Sequence, residues 1–392
     1  MNDAALGREL IARAEAMIPT LRERAPQDDK NGFTSKDTFR EFREAGFTRI
    51  AQPKRYGGLE LPLSVLAQVE IAIATGDQSA AWSYAVTQGH AHHLSMFDDR
   101  AQKDVWGDNP DTLIASPYNP MGQASTTDGG YHFKGRWRYS SGCDHCDWFL
   151  LGGFVDGDES RFCTFLVPRT EVQIVDDWDV FGLKGTGSKS VVVEGTFVPE
   201  YRVVPFGPGT EDFDFPGFAV NRAPALRIPY ILVFNRSITA TSIGGLAGLI
   251  DEMVEYLAPK VSIVSGKPLS THPDTLLALG QAKATLEELK ILAVHDLDAL
   301  EAMAAAGNIP GEEEINLYRY RAQETSARCA DAARALFEES GGGGMYENMP
   351  IGRIYRNIVA ARNHPAAAMW KESARAIGTN LFGGIAEKRR RF

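Results

Sequence analysis

The spacing of apolar and polar positions divides the chain into three textures. Over residues 4–24, Leu6, Leu10, Ile11, Ala14, Met17, Ile18 and Leu21 recur at helical intervals and predict a first helix. Thr34-Ser35-Lys36-Asp37 has the form of a capping box and predicts a short second helix that Gly46 can close. A third helix is expected from about Ser64 to Thr75. A fourth begins near Asp77 and carries Trp82, Tyr84, His90, His92, His93 and Met96. From Leu113 to about Val204 the pattern changes to short strand-like runs (149–154, 162–167, 172–175 and 190–193) separated by Gly, Asp and Pro turns. No helices intervene, so these runs predict an antiparallel block rather than a parallel sheet. Residues 206–230 are rich in Pro, Gly and Phe and lack a period. They read as a lid or substrate-side loop, or as an insertion packed by its own aromatics. The helical period then returns over 234–257, 273–306, 312–340 and 351–377, lengths that suit a four-helix bundle. The fold expected is α+β: an N-terminal helical domain (1–111), a middle antiparallel β domain (112–205), the lid segment (206–230) and a C-terminal four-helix bundle (231–392).

Composition narrows the function classes. The 392 residues are 44% apolar and 23% charged, enough for a sizeable core. A net charge of -10 with a pI near 5.4 argues against a nucleic-acid partner. The basic cluster Lys388-Arg389-Arg390-Arg391 reads as a solvated tail. The N-terminus lacks a charged-then-apolar signal pattern and no apolar run nears the roughly 20 residues that span a bilayer, so no membrane partner and a cytoplasmic location are expected. Four cysteines do not suggest a disulfide scaffold. Cys143 and Cys146 form a CxxC with no second pair, so no metal is expected.

The stretch Trp137-Arg138-Tyr139-Ser140-Ser141-Gly142-Cys143-Asp144-His145 is the candidate centre. A strand ending in two small hydroxyl residues and a glycine can bring backbone and a hydroxyl close to a flat ligand. The plainer reading is a hairpin with cross-strand aromatic pairs. Trp137 is expected to pack the sheet, and Asp144 and His145 to hold the turn.

Three further segments carry a resemblance. Pro53-Lys54-Arg55-Tyr56-Gly57-Gly58 resembles the "PxxYGG" loop of the acyl-CoA dehydrogenase superfamily. Trp178 to Ser188, followed by Val198-Pro199, looks like its "GxxGTxS…VP" signature. Gly341 to Tyr346 with Pro350, Arg353 and Arg356-Asn357 is similar to its C-terminal segment. The superfamily is a flavin fold, usually a homotetramer, with the domain order expected above. Its dehydrogenases need a carboxylate base to remove a proton alpha to a thioester. Here the stretch 356–365 holds no Glu and offers His364, and the alternative position holds Asn235 before Arg236.

The Trp-x-Tyr-Ser-Ser-Gly-x-Asp-His pattern with a late His resembles instead the oxygenase components of two-component flavin monooxygenases. That resemblance implies reduced FMN or FAD delivered by a separate NAD(P)H:flavin reductase, O2 as co-substrate, and a C4a-(hydro)peroxyflavin that oxygenates a small aromatic such as a phenol, an indole or a sulfur heterocycle. An acyl-CoA dehydrogenase-like flavin oxidase or dehydrogenase is the alternative. No GxGxxG opens a helix after a strand, in keeping with a separate reductase. The resemblance places Tyr139, Ser140, Ser141, Ser116, Gly342 and Gly343 against the flavin, with Ser141 near N5. It places His92, Tyr118, Asn119 and Trp82 on the substrate side, and His364, Ser141 and His92 in catalysis. His364 titrating near neutral pH would deprotonate a phenol or indole N–H, or hold a peroxide proton; otherwise it caps a helix.

Overall fold

The computed structural model describes residues 2–383 apart from 208, 209, 211, 212 and 264. Six helices form the N-terminal part: α1 (Asp3–Ala16), α2 (Ile18–Asn31), α3 (Lys36–Glu44), α4 (Leu63–Gly76), α5 (Gln78–Leu94) and α6 (Asp99–Trp106). The single helix expected over 4–24 is two helices that meet at Met17. Pro19 lies in the first turn of α2, where a missing N–H leaves no bond unmade. Asp77 caps α5 by accepting from the Ser79 N–H at 3.0 Å. Every residue of α5 is buried, so its three histidines lie inside the protein.

The middle part is one eight-stranded sheet: β1 (Ile114–Ala115), β2 (Gly122–Thr127), β3 (Gly130–Ser140), β4 (Trp148–Val155), β5 (Asp158–Pro168), β6 (Gln173–Val175), β7 (Lys189–Pro199) and β8 (Val203–Pro205). Its order is β6-β7-β3-β2-β4-β5-β8, with β1 against β4. The pairing is antiparallel except where β4 runs parallel to β1 and β2. No helix is needed for that pair, because β3 itself serves as the crossover that returns the chain to the far edge of β2. Near its end β3 slips register against β7: Trp137 faces Val191, but Ser140 faces Lys189. The extra residue is a bulge, and Tyr139 adopts φ 75° there. Trp137 stays in the core with its Nε1–H on the Gly152 carbonyl at 2.9 Å, while Tyr139 turns outward. Gly142, at φ 68°, then redirects the chain towards α5.

The C-terminal part holds α7 (Tyr230–Leu257), α8 (Pro273–Ala305), α9 (Glu312–Glu339), α10 (Pro350–Ala361), α11 (Pro365–Ala368) and α12 (Trp370–Leu381). Helix α7 packs against α4, α5 and α9. It approaches α4 so closely that a Cβ on Gly244 would lie 2.2 Å from the Ile71 carbonyl oxygen. Buried Asp296 binds Arg236 and Arg321 at 2.9 Å each and so joins α7, α8 and α9. The fourth helix of the expected bundle is broken into three pieces. Pro365 cannot donate an N–H and disfavours a helical residue before it, so His364 is extended at φ −66°, ψ 138°. None of the described helices is long and apolar enough to cross a membrane.

The segment expected as a lid is not structureless where it is described. It forms 3-10 turns at Pro216–Ala219 and Pro224–Arg227, and Phe206, Phe215 and Phe218 pack with Tyr118 and Tyr230. The Asn221 amide donates to the Ser95 carbonyl at 2.6 Å, tying the segment to the end of α5. The lid reading also covers 208, 209, 211 and 212, and the tail reading covers 388–391; both sets lie outside the described residues.

Candidate active site

A cavity of about 630 Å³ opens between the end of β3, the loop 178–188, helices α5, α7 and α9, and the α10–α11 break. That volume lies in the range of small-molecule and cofactor sites. One wall comes from the β domain. There Ser141 Oγ is 2.6 Å from Ser188 Oγ, which is 2.7 Å from Thr186 Oγ1, and the Thr186 hydroxyl donates to the Leu183 carbonyl at 2.8 Å. The indole N–H of Trp82, reaching across from α5, donates to Ser141 Oγ at 3.2 Å. Leu183 is left-handed at φ 58°, and its N–H donates to Asn357 Oδ1 of α10 at 2.7 Å. Tyr139 and Trp178 meet edge to face at the open rim, with ring centres 6.2 Å apart.

The opposite wall is helical. His364 lies edge-on to Trp82 at 5.3 Å and near Phe234 at 6.0 Å. Its Nδ1 accepts from the Ala366 N–H at 3.1 Å, which caps α11. That bond fixes the neutral tautomer with the proton on Nε2. His364 is partly exposed and lines the cavity, and desolvation holds its pKa down to about 4. His364 thus both caps α11 and lines the cavity, and against the expected titration near neutral pH its ring is uncharged at pH 7 and offers a donor. Asn235 of α7 also lines the cavity, and its buried amide nitrogen has no hydrogen-bond partner within the chain.

Ser116, Tyr118, Asn119 and Trp82 all line the cavity, as do Tyr139, Ser141 and His364. Tyr118 is braced by His93, whose Nδ1 is 3.0 Å from the phenol oxygen. Four other residues lie elsewhere. Ser140 points to the other face of the strand, fully buried and with its hydroxyl unpartnered. His92 has its Nε2 on the Ala225 carbonyl at 3.0 Å, and burial holds its pKa down to about 4. Gly342 and Gly343 belong to the 3-10 turn Gly341–Met345, where Gly343 lies against Tyr256, away from the cavity. Ser188, Thr186 and Asn235 also line the cavity, and no motif in the sequence marks them as site residues. The first two stood in the 178–188 segment as a signature without a role, and Asn235 was read only as a missing carboxylate.

Comparison with known proteins gives the chain a family. An acyl-CoA dehydrogenase N-terminal domain model matches residues 9–108, and an acyl-CoA dehydrogenase C-terminal domain model matches residues 237–369. The chain is 34% identical over 378 residues to the flavin-dependent monooxygenase oxygenase subunit HsaA of Rhodococcus jostii (strain RHA1), covering 95% of this chain and 98% of that one. The chain belongs to the flavin-dependent monooxygenases of the acyl-CoA dehydrogenase fold. Within that family it is 26% identical to the FADH(2)-dependent resorcinol hydroxylase oxygenase component of Rhizobium sp. (strain MTP-10005), over 95% of this chain and 94% of that one. The crystal structure of 3-HSA hydroxylase from Rhodococcus sp. RHA1 superposes with a TM-score of 0.91 at 32% identity, covering 96% and 97% of the two chains. Family membership sharpens one feature of the lining: among the described residues no Asp or Glu reaches the cavity, so no carboxylate stands ready to abstract an acyl α-proton.

Proposed function

We propose that this chain is the oxygenase component of a two-component flavin-dependent monooxygenase, acting on a small, largely apolar aromatic such as a phenol, an indole or a sulfur heterocycle. The observation that carries this reading is the pairing, across one cavity, of a hydroxyl that can accept and an uncharged imidazole that can donate, with no carboxylate between them. The cavity fits a flavin ring: a polar β wall can hold one edge, and the unpartnered Asn119 Oδ1 and Asn235 amide N–H remain for a second ligand. Reduced FMN or FAD, when bound, supplies the two electrons that activate O2, so that one oxygen atom enters the substrate and the other leaves as water.

The chain's own groups divide the remaining work. Ser141 holds the N5 edge of the flavin, while Ser116 and Tyr139 flank the ring. Trp82, Phe234, Phe206 and Tyr118 keep water out of the space above it. His364 holds a proton at Nε2 and presents it to an oxygen atom of the substrate or of the O2-derived group. Asn119 and Asn235 supply an acceptor and a donor to the polar atoms of the aromatic. No nicotinamide site accompanies this arrangement in the sequence pattern, which fits delivery of reduced flavin by diffusion from a separate NAD(P)H:flavin reductase. A soluble cytoplasmic homotetramer is part of the same reading. The glycine turn at Gly342 and Gly343 would then meet a flavin held by a neighbouring copy.

The test is to bind reduced FAD or FMN anaerobically, mix with oxygenated buffer and a panel of phenols, indoles and thiophenes, and look for product labelled from 18O2. Labelled product from at least one aromatic is expected. Failure to bind flavin, or full conversion of O2 to H2O2 with every aromatic, would refute the proposal. The acyl-CoA oxidase or dehydrogenase alternative predicts anaerobic bleaching of oxidised flavin by an acyl-CoA, which a cavity without a carboxylate opposes.

A further inference from the structure

The hydroxyl row on the β wall has a direction, and the direction follows from proton counting. Each hydroxyl owns one proton, a carbonyl oxygen owns none, and an indole N–H can only donate. The Thr186 proton lies on the Leu183 carbonyl at 2.8 Å. The 2.7 Å contact between Thr186 and Ser188 must therefore use the Ser188 proton. The 2.6 Å contact between Ser188 and Ser141 must in turn use the Ser141 proton. Trp82 Nε1 occupies one Ser141 lone pair at 3.2 Å. What Ser141 presents to the cavity is its remaining lone pair.

The row is also hard to reverse. Leu183 is fixed by its own N–H bond to Asn357 Oδ1, and its carbonyl receives Trp178 Nε1 at 3.2 Å as well. Ser141, Ser188 and Thr186 are 8%, 5% and 1% exposed, so water cannot stand in for a broken link.

We propose that Ser188 and Thr186 are positioning residues that lock the Ser141 hydroxyl as an acceptor towards the cavity, so that the site selects a flavin bearing a proton at N5, the reduced form, over the oxidised form. This rests on the reading above that the flavin lies against Ser141. Reduced flavin donates its N5–H to Ser141 Oγ. Oxidised flavin has a bare lone pair at N5, and lone pair then faces lone pair. Removing the Ser188 hydroxyl releases the Ser141 proton to turn into the cavity and donate to oxidised N5. Removing the Thr186 hydroxyl frees the row to reverse, with the same result at Ser141.

The experiment measures dissociation constants of oxidised FAD and of anaerobically reduced FAD, together with the midpoint potential of the bound flavin. It uses wild type, Ser188→Ala, Ser188→Thr, Thr186→Val, Thr186→Ser and Ser141→Ala. Wild type should favour reduced FAD. In Ser188→Ala and Thr186→Val that preference should fall about tenfold, chiefly because oxidised FAD binds more tightly. A tenfold fall lowers the two-electron potential by about 30 mV. Ser188→Thr and Thr186→Ser keep a donor in place and should retain the wild-type preference, which separates a directional role from simple packing. A preference unchanged in Ser188→Ala but lowered in Ser141→Ala would overturn the directional role while leaving flavin at Ser141. A preference insensitive to all the variants, Ser141→Ala included, would remove flavin from Ser141 and overturn both.

Discussion

The two walls of the cavity differ in material and in backbone. The β wall holds three linked hydroxyls on a backbone that departs from regular strand geometry at Tyr139 and Leu183, both left-handed. The helical wall sets Trp82 and Phe234 on the regular helices α5 and α7, and His364 on the extended residue that precedes Pro365. Non-glycine left-handed residues carry a conformational cost and persist where surrounding contacts fix them. At Leu183 those contacts are Asn357 and Trp178, the groups that also fix the hydroxyl row. The β wall is thus rigid and directional, suited to a cofactor edge that must sit in one place. The helical wall is largely apolar, with the Asn235 amide nitrogen unpartnered, and is suited to a ring that must be kept dry and oriented.

The comparison predicts that damage to each wall has a different signature. The largest effect is expected at the β wall. Ser141→Ala removes the one hydroxyl facing the flavin edge, and the fraction of O2 released as H2O2 should rise about tenfold or more, with reduced flavin still bound through the rest of the ring. Coupled assay of H2O2 and product per flavin oxidised measures this. An unchanged ratio would take Ser141 out of the reaction.

His364→Ala on the helical wall should come next, with product formation reduced by roughly a hundredfold if the imidazole supplies a proton in the oxygen-transfer step. His364→Asn retains a donor and should keep more activity than the alanine variant. Because the His364 pKa is held down to about 4, the ring remains neutral across pH 5.5 to 8, and product formation should show no ionisation near 6.5 that vanishes in His364→Asn. A step near 6.5 in wild type alone would mean that His364 works as a base.

Much of the fold was legible because long amphipathic helices and Gly- or Pro-punctuated strands announce themselves by period. Regions α7, α8 and α9 fall within a few residues of their expected bounds. The breaks were less visible. Pro19 and Pro365 each sit inside an otherwise continuous helical pattern, and the apolar period does not register the interruption. At the site, Ser141 and His364 were legible as candidates from the resemblance, and both line the same cavity. The places of His92 and Ser140 were not legible, because sequence shows a side chain's type but not which face of a bulged strand or buried helix it takes. The bulge before Ser140 inverts the alternation that would otherwise put Tyr139 inside with Trp137. Asn235 and Gln323 meet at the cavity only because α7 and α9 pack together, a contact that no local pattern encodes.

Asn235→Ala probes the helical wall alone. Loss of one unpartnered donor should raise KM for a polar-substituted aromatic several-fold, an amount expected for one hydrogen bond to a neutral group. The H2O2 fraction in the absence of substrate should be unchanged, since the β wall is intact. A change in that background without a change in KM would place Asn235 against the flavin instead.

The smallest catalytic effect is expected at His92, which lies one layer behind the helical wall with its Nε2 committed to the Ala225 carbonyl. His92→Gln should leave product formation within about twofold, yet lower stability by about 1–3 kcal/mol through the lost buried bond. Its pH dependence gives a second handle. Folding holds the ring pKa down from 6.5 to about 4, so the unfolded chain takes up a proton in this window and the folded one does not. Stability from the neutral ring is therefore full above pH 6.5 and is lost as pH falls towards 4. Glutamine has no such dependence, so the stability gap between wild type and variant, followed by thermal melts, should be widest near pH 7 and narrow on acidification. A gap that stays constant from pH 7 to 4.5, or a product yield that drops tenfold, would show that His92 is doing something other than anchoring the segment after Phe218 to helix α5.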